Sequence, residues 1–356
     1  MPNRRDCASL GVARRPVGSD LAGVSQCVDL HELIGINMKI VILDRATLGP
    51  TVTLRAPDFA HQLVSYDATN LDQAPARIAD ADVVITNKVR LEAQAIAEAK
   101  KLKLVAVAAT GTDNVDLAEC ARRNIVVSNI RNYAVNTVPE HTFALIFALR
   151  RSIAAYAASV SAGRWQQAGQ FCYFDYPIRD LAGSTLGIIG DGVLGRAVAD
   201  IGRALGMNVL VSAFKGSSGM GSLYTPFEDV LAQSDVITLH CPLNQATRNM
   251  IGAPEFARMR RKPLIINTAR GGLVDEQALG DALRSGAIGG AGFDVCTVEP
   301  PDSTHPLMAL TSLPNFLLTP HVAWASEEAM QALADQLVDN IEAFAASPPR
   351  NVVTAA

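Results

Sequence analysis

From Met38 onward, short continuous apolar runs alternate with stretches of helical character, and this alternation restricts the fold more than any other feature. The first runs are Ile40–Leu43, Leu63–Tyr66, Val83–Thr86, Leu104–Ala108 and Ile125–Val127, with helix-like segments such as Leu91–Lys100 between them. A strand that is apolar throughout is buried on both faces, as in a parallel sheet covered by crossover helices. Val138 to Val160 follows, too apolar all round for a surface helix, and predicts one long helix between two units, ended near Gly163. A second series reads Leu186–Ile189, Val209–Ala213, Val236–His240, Leu264–Thr268, Ala291–Val295 and Phe316–Thr319. Thr225-Pro226 with Glu228 predicts a capped helix start, and Gly206 and Gly286 stand where helices end. The expected class is α/β with two doubly wound parallel sheets, the second a dinucleotide fold. Met330, Leu333, Leu337, Ile341 and Phe344 recur every three or four residues. They predict a last helix over about Ser326–Ala346 that returns to the first unit.

Composition excludes several classes. A hydrophobic share of 49% fills two cores, and a net charge of -4 leaves no basic footprint for nucleic acid. The six cysteines, at 7, 27, 120, 172, 241 and 296, form no CxxC pair. Neither a disulfide framework nor a metal site is expected, and a reducing cytoplasm fits best. No apolar run reaches the ~18 residues of a spanning helix, so no membrane partner is expected. Residues 1–37 carry Arg4, Arg5, Arg14 and Arg15 but no apolar h-region. They read as an N-terminal extension, disordered or an over-long start, ahead of the strand that begins after Met38; a transit peptide is the weaker alternative.

Gly190-Asp191-Gly192-Val193-Leu194-Gly195 is a GxGxxG that follows an apolar strand and opens a helix bearing Val198, Ile201 and Leu205. In that setting Gly190 allows the tight turn, Gly192 lets a pyrophosphate approach the backbone, and Gly195 lets helix and strand pack closely. The helix N-terminus offers unpaired N–H groups and a positive dipole end to the anion. Two features depart from the pattern. Asp191 puts a carboxylate beside the phosphate site. The strand end at Ser212-Ala213-Phe214 lacks the acid that normally holds the adenosine ribose of NAD, and Lys215, Ser217 and Ser218 follow it.

Three charged residues stand just after late strands, at the strand ends where open α/β sheets bind ligands. They are Arg270 in NTARGGLVDE, Glu299 in GFDVCTVEP and His321 in TPHVAWAS. In this order after GxGxxG, these segments resemble the D-isomer-specific 2-hydroxyacid dehydrogenase family over roughly Met38 to Phe344. Ala109–Asp116, Val138–Thr142 and His240–Leu243 support the likeness. Thr86–Val89, Asp175–Ile178 and the Trp324 context bring it nearest the glycerate dehydrogenases, also called hydroxypyruvate reductases.

The resemblance implies two Rossmann-like domains. One is a flavodoxin-like split substrate domain of residues 38–136 and 325–356; the other is an NAD(P)-binding domain of residues 137–324. It also implies a homodimer and a small 2-keto or 2-hydroxy acid as substrate. Arg270 would bind the substrate carboxylate and polarise the keto oxygen, a task suited to its planar fork. His321 would give that oxygen a proton as hydride reaches C2 from NAD or NADP, and Glu299 would orient His321. Cofactor contacts would come from Gly190, Gly192, Val193, Leu194, Gly195, Ala213, Lys215, Cys241, Pro242, Thr268, Ala269, Asp294 and His321. Lys88 and the backbone at Thr110 and Gly111 would meet the substrate with Arg270. Other readings are a glyoxylate or D-lactate type reductase of the same family, or a cofactor-sensing, corepressor-like binding protein with little turnover.

Overall fold

A computed structural model describes residues 37–217 and 219–354. The reading of residues 1–37 as an extension, Asn37 apart, and the reading of Ser218 lie outside the described residues.

The first sheet contains β1 (Met38–Ile42), β2 (His61–Ser65), β3 (Val83–Thr86), β4 (Leu104–Val107) and β5 (Val126–Ser128). Its order is β2-β1-β3-β4-β5, with every pair parallel. Alternate residues serve opposite faces. Val41, Val84 and Val105 enter one apolar cluster, and Ile40, Ile42, Val83 and Leu104 enter the other. The second cluster is completed by Leu333, Leu337 and Ile341 from the Glu327–Ala346 helix. That helix starts where Ser326 caps it, its side chain accepting from the Ala329 amide at 3.1 Å.

The second sheet contains β6 (Thr185–Ile189), β7 (Asn208–Val211), β8 (Val236–Leu239), β9 (Leu264–Asn267), β10 (Gly290–Phe293) and β11 (Phe316–Leu318). Its order is β7-β6-β8-β9-β10-β11, again all parallel. The Thr137–Arg150 helix buries Phe143, Ile146 and Leu149 against Leu186, Ile188 and Ile266. Connections diverge at β1/β3 in the first sheet and at β6/β8 in the second. Such switch points open a crevice at the strand ends.

Two local features differ from the expectations, and a third had none. The predicted helix over Val138–Val160 is two helices, Thr137–Arg150 and Ile153–Ser161, bent by 58°. The break lies at Ser152, which takes a left-handed φ of 51° while its hydroxyl donates to the Pro177 carbonyl at 2.7 Å. Arg151 beside it pairs with Asp180 at 2.8 Å. Tertiary partners therefore override a locally continuous helical pattern. Among the described residues, no single helix is long and apolar enough to cross a membrane.

The expected cap at Thr225 is also displaced. The helix runs Phe227–Gln233 with Pro226 as its cap, and the Thr225 amide instead donates to the Val211 carbonyl at 2.8 Å, extending β7 sideways. Finally, the chain near Val352 adds to the edge of β5 in antiparallel fashion. Val353 N–H donates to the Val127 carbonyl at 2.8 Å, and Asn129 N–H donates to Asn351 at 3.1 Å.

Candidate active site

The glycine loop leaves β6 at its carboxyl end. Gly190 has a φ of +106°, and a Cβ there would lie 2.6 Å from the His240 carbonyl group, so only glycine fits. A Cβ at Gly195 would meet the Gly190 carbonyl oxygen at 1.9 Å, which is why the helix can begin so close to the strand. Gly192 differs: nothing lies within 4 Å of the place its Cβ would take. The Val193–Ala204 helix that follows has no side-chain cap, and Val193 is half exposed. Open space above uncapped N–H groups at a helix start suits a pyrophosphate, so the loop fits a dinucleotide. Asp191 has an evident partner, since the Tyr224 hydroxyl donates to its carboxylate at 2.6 Å.

A cavity of about 480 Å³ runs from this loop to the first sheet. Leu194, Cys241, Pro242, Thr268, Ala269 and Asp294 line it from the second sheet, and Lys88, Thr110 and Gly111 line it from the first. Arg270 and His321 face it from the loops after β9 and β11. A narrower recess of about 350 Å³ brings Arg270, Glu299, His321, Lys88 and Gly111 together. Gly190, Gly192, Val193, Gly195, Ala213 and Lys215 lie outside the lining of the larger cavity.

His321 Nδ1 lies 2.6 Å from Glu299 Oε2, and the Cys296 amide donates to Glu299 Oε1 at 2.9 Å. Burial pushes the Glu299 carboxyl up. Hydrogen bonds from His321 and the Cys296 amide, helped by the charges of His321 and Lys88, more than offset it and hold the group below its ordinary range. The carboxylate is thus ionised at neutral pH. His321 itself has a left-handed φ of 54°, and its carbonyl accepts from the Trp324 indole at 2.9 Å. Arg270 lies against Gly111: a Cβ there would come within 2.4 Å of the guanidinium. Its Nε is 3.7 Å from Asp113.

Several supporting contacts escaped the reading of the sequence, including those of Asp294, which was expected only as a cofactor contact. Asp44, 4% exposed at the end of β1, accepts the Asn87, Lys88 and Val89 amides at 3.0, 2.6 and 3.1 Å. It thereby fixes the loop that carries Lys88. Desolvation in the cleft and then the Arg270 charge pull the Lys88 ammonium below its usual range, against Glu299, Asp44 and Asp113. Asp294, 1% exposed, spends its carboxylate on the His321 loop, accepting from Thr319 Oγ1 at 2.5 Å and from the Val322 and Ala323 amides at 2.9 and 2.8 Å. His141 joins from beneath, with Nε2 3.0 Å from Thr319 Oγ1. The sequence signal for Asp44 and Asp294 was a polar residue just after an apolar strand, whereas His141 lies within the Thr137–Arg150 helix and carried none.

Lys215 is 39% exposed at its side chain, yet its ammonium is not free. Its ammonium lies 2.8 Å from Glu255 and donates to the Met250 carbonyl at 2.9 Å. Burial lowers His240 to about 4, so that imidazole is neutral beside the glycine loop. Burial also raises Cys241 and Cys296 to about 11, which leaves both thiols protonated and poorly nucleophilic.

Comparison with known proteins agrees with this architecture. Residues 143–323 match the family described as D-isomer specific 2-hydroxyacid dehydrogenase, NAD binding domain. A glycerate dehydrogenase of Methylorubrum extorquens is 54% identical over 318 residues, covering 89% of this chain and 99% of that protein. A hydroxypyruvate reductase of Blautia hydrogenotrophica is 35% identical over 323 residues, 89% of this chain and 99% of its own. The crystal structure of an NADPH-dependent glyoxylate/hydroxypyruvate reductase from Sinorhizobium meliloti superimposes with a TM-score of 0.76 at 28% identity, over 89% of this chain and 98% of that one. The chain therefore belongs to the D-isomer-specific 2-hydroxyacid dehydrogenase family, as a nicotinamide-dependent oxidoreductase that acts on the CH–OH group of small 2-hydroxy acids.

Proposed function

We propose that the chain reduces hydroxypyruvate to D-glycerate and catalyses the reverse reaction, with residues 38–136 and 325–356 holding the substrate and residues 137–324 the cofactor. The observation that carries this reading is the 2.6 Å contact of His321 with the ionised Glu299, in one recess with Arg270. When bound, a nicotinamide would supply the hydride chemistry at C2. The chain's own residues do the rest. Arg270, with the Thr110 and Gly111 backbone, holds the substrate carboxylate; Arg270 also polarises the keto oxygen. Glu299 accepts from Nδ1–H and favours the imidazolium, which leaves Nε2 to give its proton to that oxygen. Lys88 and Asp113, which line the same recess, would meet the C3 end. The glycerate dehydrogenase and hydroxypyruvate reductase among the relatives support hydroxypyruvate over glyoxylate and pyruvate.

Initial rates with the three keto acids test this reading. Hydroxypyruvate should give the highest kcat/KM, and His321→Ala should lose about 10²–10⁴-fold while cofactor affinity stays nearly constant. Equal use of pyruvate would remove the substrate assignment; an active His321→Ala would remove the proton donor.

We infer that both NADH and NADPH are accepted. Ser212, Ala213 and Phe214 stand where a carboxylate usually repels the 2′-phosphate, and Glu255 offsets the one adjacent lysine. Ala213 is buried and Phe214 is 70% exposed, so Phe214→Glu introduces the charge with little packing cost. It should shift kcat/KM and cofactor Kd toward NADH about tenfold, whereas Glu255→Gln, by releasing Lys215, should favour NADPH. A wild type that already rejects NADPH a hundredfold, worth about 2.7 kcal/mol, would contradict this.

A second copy of the chain is the partner we assign to the apolar surface around Phe171 and Phe174, which are 90% and 83% exposed beside Trp165 and Ile178. Sedimentation should give a dimer that Phe174→Asp weakens; a monomeric wild type would refute the assignment. The scattered cysteines support a reducing cytoplasm as the setting for this reaction.

A further inference from the structure

Two buried polar side chains that the chemistry above does not use meet Thr297, an exposed residue in the lining of the recess. Glu276, the first residue of the Glu276–Arg284 helix, is 6% exposed, and His305 is 8% exposed. Glu276 Oε1 accepts the Thr297 amide at 2.8 Å, and Oε2 accepts the Thr297 hydroxyl at 2.6 Å. His305 Nε2 lies 3.1 Å from Glu276 Oε2 and 3.1 Å from the Thr297 hydroxyl. The Leu307 amide donates to His305 Nδ1 at 3.3 Å, which assigns the remaining ring proton to Nε2 and directs it at this pair. A buried carboxylate is stable there because its donors replace water.

The cluster's position gives it a consequence. Glu276 stands six residues after Arg270, on the loop and helix that leave β9. Thr297 stands between Cys296, whose amide holds Glu299, and Glu299 itself. A Cβ on Gly271 would lie 2.1 Å from the Cys296 carbonyl carbon, so the two loops touch backbone to backbone. Glu276 is therefore a clasp between the loop carrying Arg270 and the loop carrying Glu299. We propose that Glu276, secured by His305 and Thr297, is a positioning residue that fixes Glu299 against His321 and so sets the pH range over which His321 can donate its proton.

The charges facing His321 are Glu299 directly, Lys88, Arg248, Arg270 and Asp113 around the recess, and Asp294 beneath its loop through the Val322 and Ala323 amides. Loosening Glu299 withdraws the carboxylate that favours the imidazolium. The alkaline limb of kcat/KM for keto-acid reduction then moves to lower pH.

The inference rests on the proton-donor reading of His321. It is tested in the full-length enzyme by pH profiles of kcat/KM for hydroxypyruvate reduction. Glu276→Gln should lower kcat/KM about tenfold at pH 7 and move the alkaline limb down by about half a unit or more. Thr297→Val keeps the Glu276 charge and removes one of its donors; it should shift the limb in the same direction by less, and Thr297→Ser should restore the wild-type profile. The dissociation constant for NADH should stay within about twofold throughout. If Glu276→Gln fails to fold, the Thr297 pair decides. A limb that stays put in folded Glu276→Gln or Thr297→Val enzyme, with activity lost only through stability, overturns the clasp. His321→Ala measured alongside separates the two readings. If that variant remains active, the donor assignment has failed; if it is inactive while the limb stays put, only the clasp has failed.

Discussion

Parallel pairing in both sheets is the constraint on which the site depends. Because all strands of a sheet point the same way, the loops after β6, β8, β9, β10 and β11 emerge at one edge, as do those after β1, β3 and β4. Residues as far apart in sequence as Lys88, Arg270, Glu299 and His321 can then line one recess without any long excursion of the chain. The order β2-β1-β3-β4-β5 and the order β7-β6-β8-β9-β10-β11 each place a switch point, and hence a crevice, toward this cavity.

Within the cavity, the charges compensate one another. Arg270, Lys88 and Arg248 oppose Asp113 and Glu299 around the smaller recess, so an incoming carboxylate meets net positive charge without an uncompensated buried ion. The carboxylates that carry the most structural weight are those removed from the chemistry. Asp44 holds three consecutive amides, Asp294 holds two amides and a threonine, and Glu276 holds one residue by both its amide and its hydroxyl. Each converts a loop into a fixed support for one charged side chain at the surface of the recess, the arrangement a preorganised site requires.

Much of this was legible in sequence order. The strands follow from continuous apolar runs, and the glycine loop follows from GxGxxG placed between a strand and a helix. Arg270, Glu299 and His321, which line one recess, drew notice because each sits within a few residues of a strand end in a distinctive segment. What escaped depends on contacts between distant residues. Asp44 clamps a loop more than 40 residues away, Lys215 is claimed by Glu255, and the Val352 segment pairs with Ser128. The break at Ser152 has no glycine or proline to announce it; it arises from a hydroxyl bond to Pro177 and an ion pair to Asp180. Periodicity reports which face is buried, and it carries no information about which polar groups will meet across the fold.

The central claim is that an ionised Glu299 holds His321 as the proton donor. The most direct measurement is the pH dependence of kcat/KM for hydroxypyruvate reduction in wild type and in Glu299→Gln. The account predicts that Glu299→Gln lowers the alkaline pKa by about one unit or more, because the amide no longer stabilises the imidazolium, with NADH binding unchanged. An alkaline limb at the same pH in both proteins, at comparable rates, would contradict it.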